Sequence, residues 1–93
     1  MAPRILLVSS FSFPGKRQAH MELPEGMRTI GDLLRHLGQA LEYSLLAPGG
    51  RDIDDDLEVS INGRGLWSHA QGLDTVLRQD DVVEIYMLTL GGG

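Results

Sequence analysis

Asp81-Val82-Val83-Glu84-Ile85-Tyr86-Met87-Leu88-Thr89-Leu90-Gly91-Gly92-Gly93 is an apolar strand running directly into three glycines, and its reading decides the fold. Val82, Val83, Ile85, Tyr86, Met87 and Leu88 suit a buried strand by type, and their near-continuous run predicts a strand covered on both faces. Glycines cannot prolong it. Without Cβ atoms they lose the most entropy on ordering and give a sheet nothing to pack, so residues 91–93 are expected to form a flexible tail beyond a domain of residues 1–90. Extended, such a tail reaches roughly 10 Å and enters a passage too narrow for a side chain. It delivers one chemical group, the α-carboxylate of Gly93. The competing reading is an idle, disordered terminus, and the rest of the chain decides between them.

The chain has 93 residues, enough for a single small core without disulfides or metals. It contains no cysteine, which excludes thiolate catalysis, sulfur-ligated zinc and a secreted disulfide scaffold. The apolar run Ile5-Leu6-Leu7-Val8 is far too short for a secretory or membrane segment, so a cytoplasmic protein with no membrane association is expected. Net charge is −5, and Asp52, Asp54, Asp55, Asp56 and Glu58 gather much of the acid in one stretch. That balance argues against nucleic acid as a partner. It suits either a solvated loop or a basic protein partner.

Working outward, residues 4–13 read as a first strand, with Ile5, Leu7, Phe11 and Phe13 on one side and Leu6 and Val8 on the other. Pro14-Gly15 turns the chain. Residues 17–23 then alternate, with Ala19, Met21 and Leu23 inward and Gln18, His20 and Glu22 outward, which predicts a hairpin with one wet face. Thr29 with Asp32 three residues on is a capping-box pair, so a helix is expected from Ile30. Ile30, Leu33, Leu34, Leu37 and Leu41 recur at helical spacing and give the sheet one stripe to cover. Gly31 and Gly38 weaken that helix by roughly 1 kcal/mol each relative to alanine, so docking must hold it. It is expected to end near Leu41 or Tyr43, and Pro48-Gly49-Gly50 then opens the acidic loop.

Leu57, Val59 and Ile61 alternate with Glu58 and Ser60 in a third strand that meets Asn62-Gly63, a pair favouring a tight hairpin turn. A short partner strand is expected over residues 65–67. Leu73, Val76 and Leu77 indicate one helical turn, and residues 78–81 a polar turn into the last strand. The order predicts an α+β domain: a mixed sheet of four to five strands with one main helix across one face.

Thr29-Ile30-Gly31-Asp32-Leu33-Leu34 at the helix start, Ile61-Asn62-Gly63-Arg64 at the hairpin, Asp81, Val83 and Ile85 in the last strand and the glycine end together resemble the MoaD/ThiS family of sulfur carriers. The resemblance covers essentially the whole chain and implies the ubiquitin-like β-grasp fold, with the first and last strands parallel at the sheet's centre. Two positions depart from the family pattern. Leu88-Thr89-Leu90 precedes three glycines where family tails carry proline or alanine before two, and Asp80 stands where glycine is frequent.

The resemblance further implies that Gly93 is the sulfur-carrying residue and that Gly91, Gly92 and Gly93 form the tail presented to a ubiquitin-activating-type adenylating enzyme. The partner would use ATP, a sulfur donor would convert the adenylate to a thiocarboxylate, and a downstream sulfur-accepting enzyme would receive the sulfur. The chain itself would be no enzyme but a protein cosubstrate, or the small subunit of a sulfur-transfer enzyme, with no bound cofactor and no metal. By alternation Val83, Ile85 and Met87 take the core side of the last strand. Tyr86 and Leu88 are left outside, with Trp67 and Leu90, as the partner-binding set. For Trp67 the favoured reading is a lid over the edge of the core, since small domains need aromatic bulk.

Two other readings stand beside this one: a ubiquitin-like modifier joined through Gly93 to lysines, and a β-grasp binding subunit whose glycines are idle. His20, His36 and His69 are too scattered for a metal spacing. Ser68-His69 with Asp74 makes a weak nucleophile-and-base pattern, since adjacent residues rarely face one another. No catalytic site emerges from the sequence.

Overall fold

A computed structural model of the chain describes residues 3–13, 16–42 and 45–87. Arg4–Phe13 forms β1, Lys16–Glu22 β2, Ile30–Leu41 α1, Leu57–Ile61 β3, Arg64–Gly65 β4 and Val82–Met87 β5. The turn at Pro14-Gly15 and the residues Leu88, Leu90, Gly91, Gly92 and Gly93 lie outside the described residues. So do the side chains of Phe11, Phe13, Ala19, Leu41 and Met87.

The strands form one mixed sheet in the order β2-β1-β5-β3-β4. β1 and β5 run parallel at its centre, with Leu6 opposite Val82 and Val8 opposite Glu84, as the family resemblance implies. Every other pairing is antiparallel. A parallel neighbour cannot be reached by a tight turn, and α1 lies in the chain between the two strands. Its stripe of Ile30, Leu33, Leu34 and Leu37 joins Ile5, Leu7, Leu57, Val59, Ile61, Val83 and Ile85 in one core. The architecture is α+β, with the helix across one face of the sheet.

Local chemistry sets the boundaries. Thr29 Oγ1 accepts from the amide of Asp32 at 3.1 Å, while Asp32 Oδ2 accepts from the amides of Thr29 at 3.2 Å and Arg28 at 3.0 Å. The capping box is closed in both directions and starts α1 at Ile30. The helix stops where Glu42 turns left-handed, at φ 55°. Asn62 and Gly63, at φ 54° and 82°, build the hairpin turn between β3 and β4.

Three expectations need correction. The run into the C-terminus is not covered on both faces: Val83 and Ile85 are fully buried, but Glu84 is half-buried and Tyr86 is 36 % exposed. The partner of β3 is shorter than residues 65–67. It ends at Gly65 because Leu66–Ser68 tightens into a 3₁₀ turn, closed by His69 N donating to Leu66 O at 3.0 Å and Ser68 Oγ donating to Gly65 O at 2.8 Å. The turn expected over Leu73, Val76 and Leu77 lies at Gly72–Asp74 instead. Beyond it the chain is extended and pairs with the entry to α1: Ile30 N donates to Thr75 O at 2.9 Å and Leu77 N donates to Arg28 O at 2.8 Å. Val76 therefore stands 50 % exposed in a bridge rather than on a helical face.

Gly31 also has a reason that periodicity does not show. A Cβ built there would sit 2.9 Å from the backbone oxygen of Leu73, so glycine lets the 3₁₀ turn dock against the first turn of α1.

Candidate functional site

The sheet face away from α1 is where unspent chemistry collects. Because side chains alternate, the residues facing outward in register are Leu6 and Val8 from β1, Val82, Glu84 and Tyr86 from β5, and Glu58 and Ser60 from β3. Leu6, Val8 and Val82 are only half-buried, so the middle of this face is apolar and reachable by solvent. A face of this kind, rimmed by polar groups, has the composition of a docking surface.

Its β5 end is acidic and aromatic. Tyr86 Oη donates to Glu84 Oε2 at 2.5 Å, and Glu58 lies directly across the strand pair from Tyr86. That hydrogen bond, with desolvation and the two carboxylates, holds the phenol's pKa above its ordinary value and occupies its one proton.

Trp67 is not a lid over the core. It is 91 % exposed. A Cβ added at Gly65 would lie 2.5 Å from Trp67 Nε1 and 2.9 Å from Cδ1, so the indole rests against the glycine backbone. Gly65 pairs with Ser60, which places that missing Cβ on the outward face. Trp67 and Tyr86 therefore belong to the same side of the sheet, with β3 and its Glu58 between them. Among the described side chains the buried core is aliphatic, and the one tryptophan is at the surface. The other members of the expected partner-binding set, Leu88 and Leu90, and the tail Gly91, Gly92 and Gly93 fall outside the described residues.

One arrangement escaped the sequence reading. Asp81 Oδ1 accepts from Asn62 Nδ2 at 2.9 Å and Oδ2 from the amide of Arg78 at 2.8 Å, while Asn62 Oδ1 accepts from the amide of Val82 at 2.9 Å. The hairpin turn and the entry to β5, separated by 19 positions, are clamped to each other. Asp80 sits beside them at φ 69°, the left-handed conformation in which aspartate replaces glycine at modest cost. The clamp fixes the entry to β5, whose pairing with β3 runs on to Met87 opposite Leu57. Asn62 and Asp81 each carry a signal as turn and strand-start residues, but nothing in the spacing announces their bond.

The alternative chemistry finds no geometry. Ser68 Oγ is engaged by Gly65 O, and His69 Nε2 lies 3.3 Å from Arg64 O, so the Ser68-His69-Asp74 pattern does not assemble as a triad. Among the described residues no group of three or more His, Asp or Glu side chains is placed to hold a metal ion. No helix among them is long and apolar enough to cross a membrane.

Solved structures share this architecture. A Haloferax volcanii protein determined in solution superposes with a TM-score of 0.75 at 24 % identity, over 98 % of this chain and 88 % of its own. Small archaeal modifier protein 1 of Methanosarcina acetivorans gives 0.69 at 20 % identity, over 100 % and 99 %. A Pyrococcus furiosus chain bearing the name molybdopterin converting factor, subunit 1, gives 0.62 at 21 % identity, over 95 % and 100 %. No family model and no curated protein matches the chain in sequence. Likeness at these identities establishes the fold, which is the ubiquitin-like β-grasp.

Proposed function

We propose that this chain is a sulfur carrier of the MoaD/ThiS kind, a protein cosubstrate whose reacting group is the α-carboxylate of Gly93. The observation that carries the reading is the position of β5. It is the central strand, clamped at its start, and it leads at Met87 toward a sequence ending in three glycines, beside a half-buried apolar sheet face.

A carboxylate is a poor acyl donor because oxide would have to leave. In the proposed reaction an adenylating partner of the ubiquitin-activating type joins a Gly93 oxygen to the α-phosphorus of ATP, and pyrophosphate departs. Sulfide (HS⁻) from a sulfur donor then forms the C–S bond as AMP and a proton depart, leaving a thiocarboxylate for a downstream acceptor in molybdopterin, thiamine, cysteine or thionucleoside synthesis. The chain contributes a rigid handle and a narrow arm. The face bearing Leu6, Val8, Val82, Tyr86 and Glu84 is the grip, and the glycines pass where a β-carbon would meet the wall.

The name of the Methanosarcina neighbour favours a second reading, in which the activated Gly93 is joined to lysines of other proteins. Activation is common to both, and only the acceptor differs. Intact mass after incubation with ATP, a sulfur source and adenylating enzymes tests the first: a gain equal to the exchange of one oxygen for sulfur, confined to the C-terminal peptide, is expected. Gly92→Val should fold normally and show no gain. Higher-mass conjugates on immunoblots without thiocarboxylate would move the reading to the modifier. Unimpaired activation of the valine variant would remove the threading idea.

A further inference from the structure

We infer that the groove beside Trp67 is a second docking site, built for an extended segment of a partner protein that carries a basic residue next to an apolar one. The groove encloses about 590 Å³ between the outer edge of β3, the loop at Arg51, Asp52 and Ile53, and the two 3₁₀ turns. It lies at the edge of the sheet, apart from the apolar centre of the outward face.

The case for an extended occupant is the strand edge. β4 pairs with β3 only at Ser60 and Ile61, and among the described residues no strand pairs with the outer edge of β3 over Leu57, Glu58 and Val59. Asn62 N donates to Val82 O, which by alternation turns the backbone groups of the even-numbered β3 residues toward β5 and those of Val59 and Leu57 outward; Leu57 N is already taken by Asp54 O at 3.0 Å, which leaves the Leu57 carbonyl and the Val59 amide on the edge. An added strand takes up such groups.

An apolar residue in the occupant is called for by Trp67. Its indole is 91 % exposed at the groove's rim, and Ile53, Leu57 and Leu66 line the floor. Gly65 has φ −56°, a conformation open to any residue, so backbone conformation does not require glycine there. What glycine supplies is room for the indole, which lies over Gly65 and stays uncovered. A solvent-facing tryptophan beside a groove is a frequent anchor of an interface.

Charge specifies the basic residue. Asp52 and Glu58 line the groove, and Asp54, Asp55 and Asp56 follow in the loop between them, against Arg51 as the fixed cation in the lining. Asp52 Oδ1 and Asp54 Oδ1 are held by the amides of Ile53 and Asp56 at 2.8 Å each, so these two carboxylates are fixed in place. A lysine or arginine of the occupant meets net negative charge.

The inference does not use the tail, so its test is separate from the tail chemistry. Random heptapeptides displayed on phage are selected on the immobilised full chain and counter-selected on Trp67→Ala. Trp67 makes almost no buried contact, so that variant keeps its core. Enrichment of peptides that place Lys or Arg beside an apolar residue is expected, with binding weakened about tenfold or more by Trp67→Ala and by Glu58→Lys. Because Trp67 is the only tryptophan in the chain, its emission should shift to the blue as synthetic versions of those peptides saturate it. Gly65→Ala displaces the indole without touching either charge and should weaken the same peptides. Absence of Trp67-dependent enrichment overturns the proposal, as does enrichment of peptides without basic residues. A blue shift driven by protein concentration alone would give the groove to a second copy, and one abolished by deleting residues 88–93 would give it to the chain's own end; either would also overturn it.

Discussion

The two faces of β3 and β5 are made from the same ten or so residues and treat them oppositely. Toward α1, Leu57, Val59, Ile61, Val83 and Ile85 are each at most 4 % exposed. Away from it, Glu58 and Tyr86 are exposed, and Ser60 and Glu84 are half-buried. Adjacent residues on one strand thus serve different ends: one side holds the molecule together, and the other is left for something else to hold.

The sharpest way to break that distinction is to truncate neighbours. Ile85→Ala should cost about 2–5 kcal/mol in urea unfolding, because a fully buried aliphatic side chain leaves a cavity. Tyr86→Ala should cost less than about 1 kcal/mol, since its ring is partly in water. Equal losses would mean that the outward face is also structural. Glycines give the next contrast. At Gly31 a new methyl meets the backbone oxygen of Leu73, which cannot swing aside, and Gly31→Ala should destabilise by about 1–3 kcal/mol despite alanine's better helix propensity. At Gly65 the obstacle is an exposed indole free to move, so Gly65→Ala should change stability by less than about 0.5 kcal/mol while altering Trp67 fluorescence.

Smaller effects sharpen the picture at the entry to α1. Thr29→Ala removes one half of the capping box and should cost about 1 kcal/mol, read by the same unfolding assay. Hydrogen bonds from the amides of Arg28 and Thr29 hold the Asp32 carboxyl below its ordinary pKa. A depressed folded-state pKa stabilises the fold above the unfolded value and is lost as pH falls through the folded one. Acid titration of stability should therefore show a loss below about pH 4 that Asp32→Asn reduces. An unchanged acid profile in that variant would show that the cap does not titrate with folding.

Much of the fold was legible because local chemistry and tertiary structure agree. Thr29 and Asp32, the leucine stripe of α1 and Asn62-Gly63 each act within a few residues, and each does what its pattern predicts. The parallel pairing of β1 and β5 came from family resemblance, not from any local signal. What stayed hidden depends on contacts distant in sequence. Gly31 reads as a weak helix residue until Leu73 is beside it, and Asn62 and Asp81 read as separate punctuation until they bond. Trp67 misled because apolar bulk says that a side chain wants cover without saying whether its own chain supplies it. The apolar run of β5 misled for the same reason. Of the candidate site, Tyr86 was placed correctly on the outward face, while the groove beside β3 had no sequence signature at all.

The central place of β5 carries a consequence for how the molecule is made. The last strand among the described residues is inserted between β1 and β3, so neither hairpin has a sheet to join until residues 82–87 have been made and are free to pair. A nascent chain broken off before Val82 keeps two disconnected ribbons and an undocked helix, and such pieces are prey for proteases. Folding is thereby coupled to the synthesis of β5: the polypeptide acquires its shape only once that strand is free to insert.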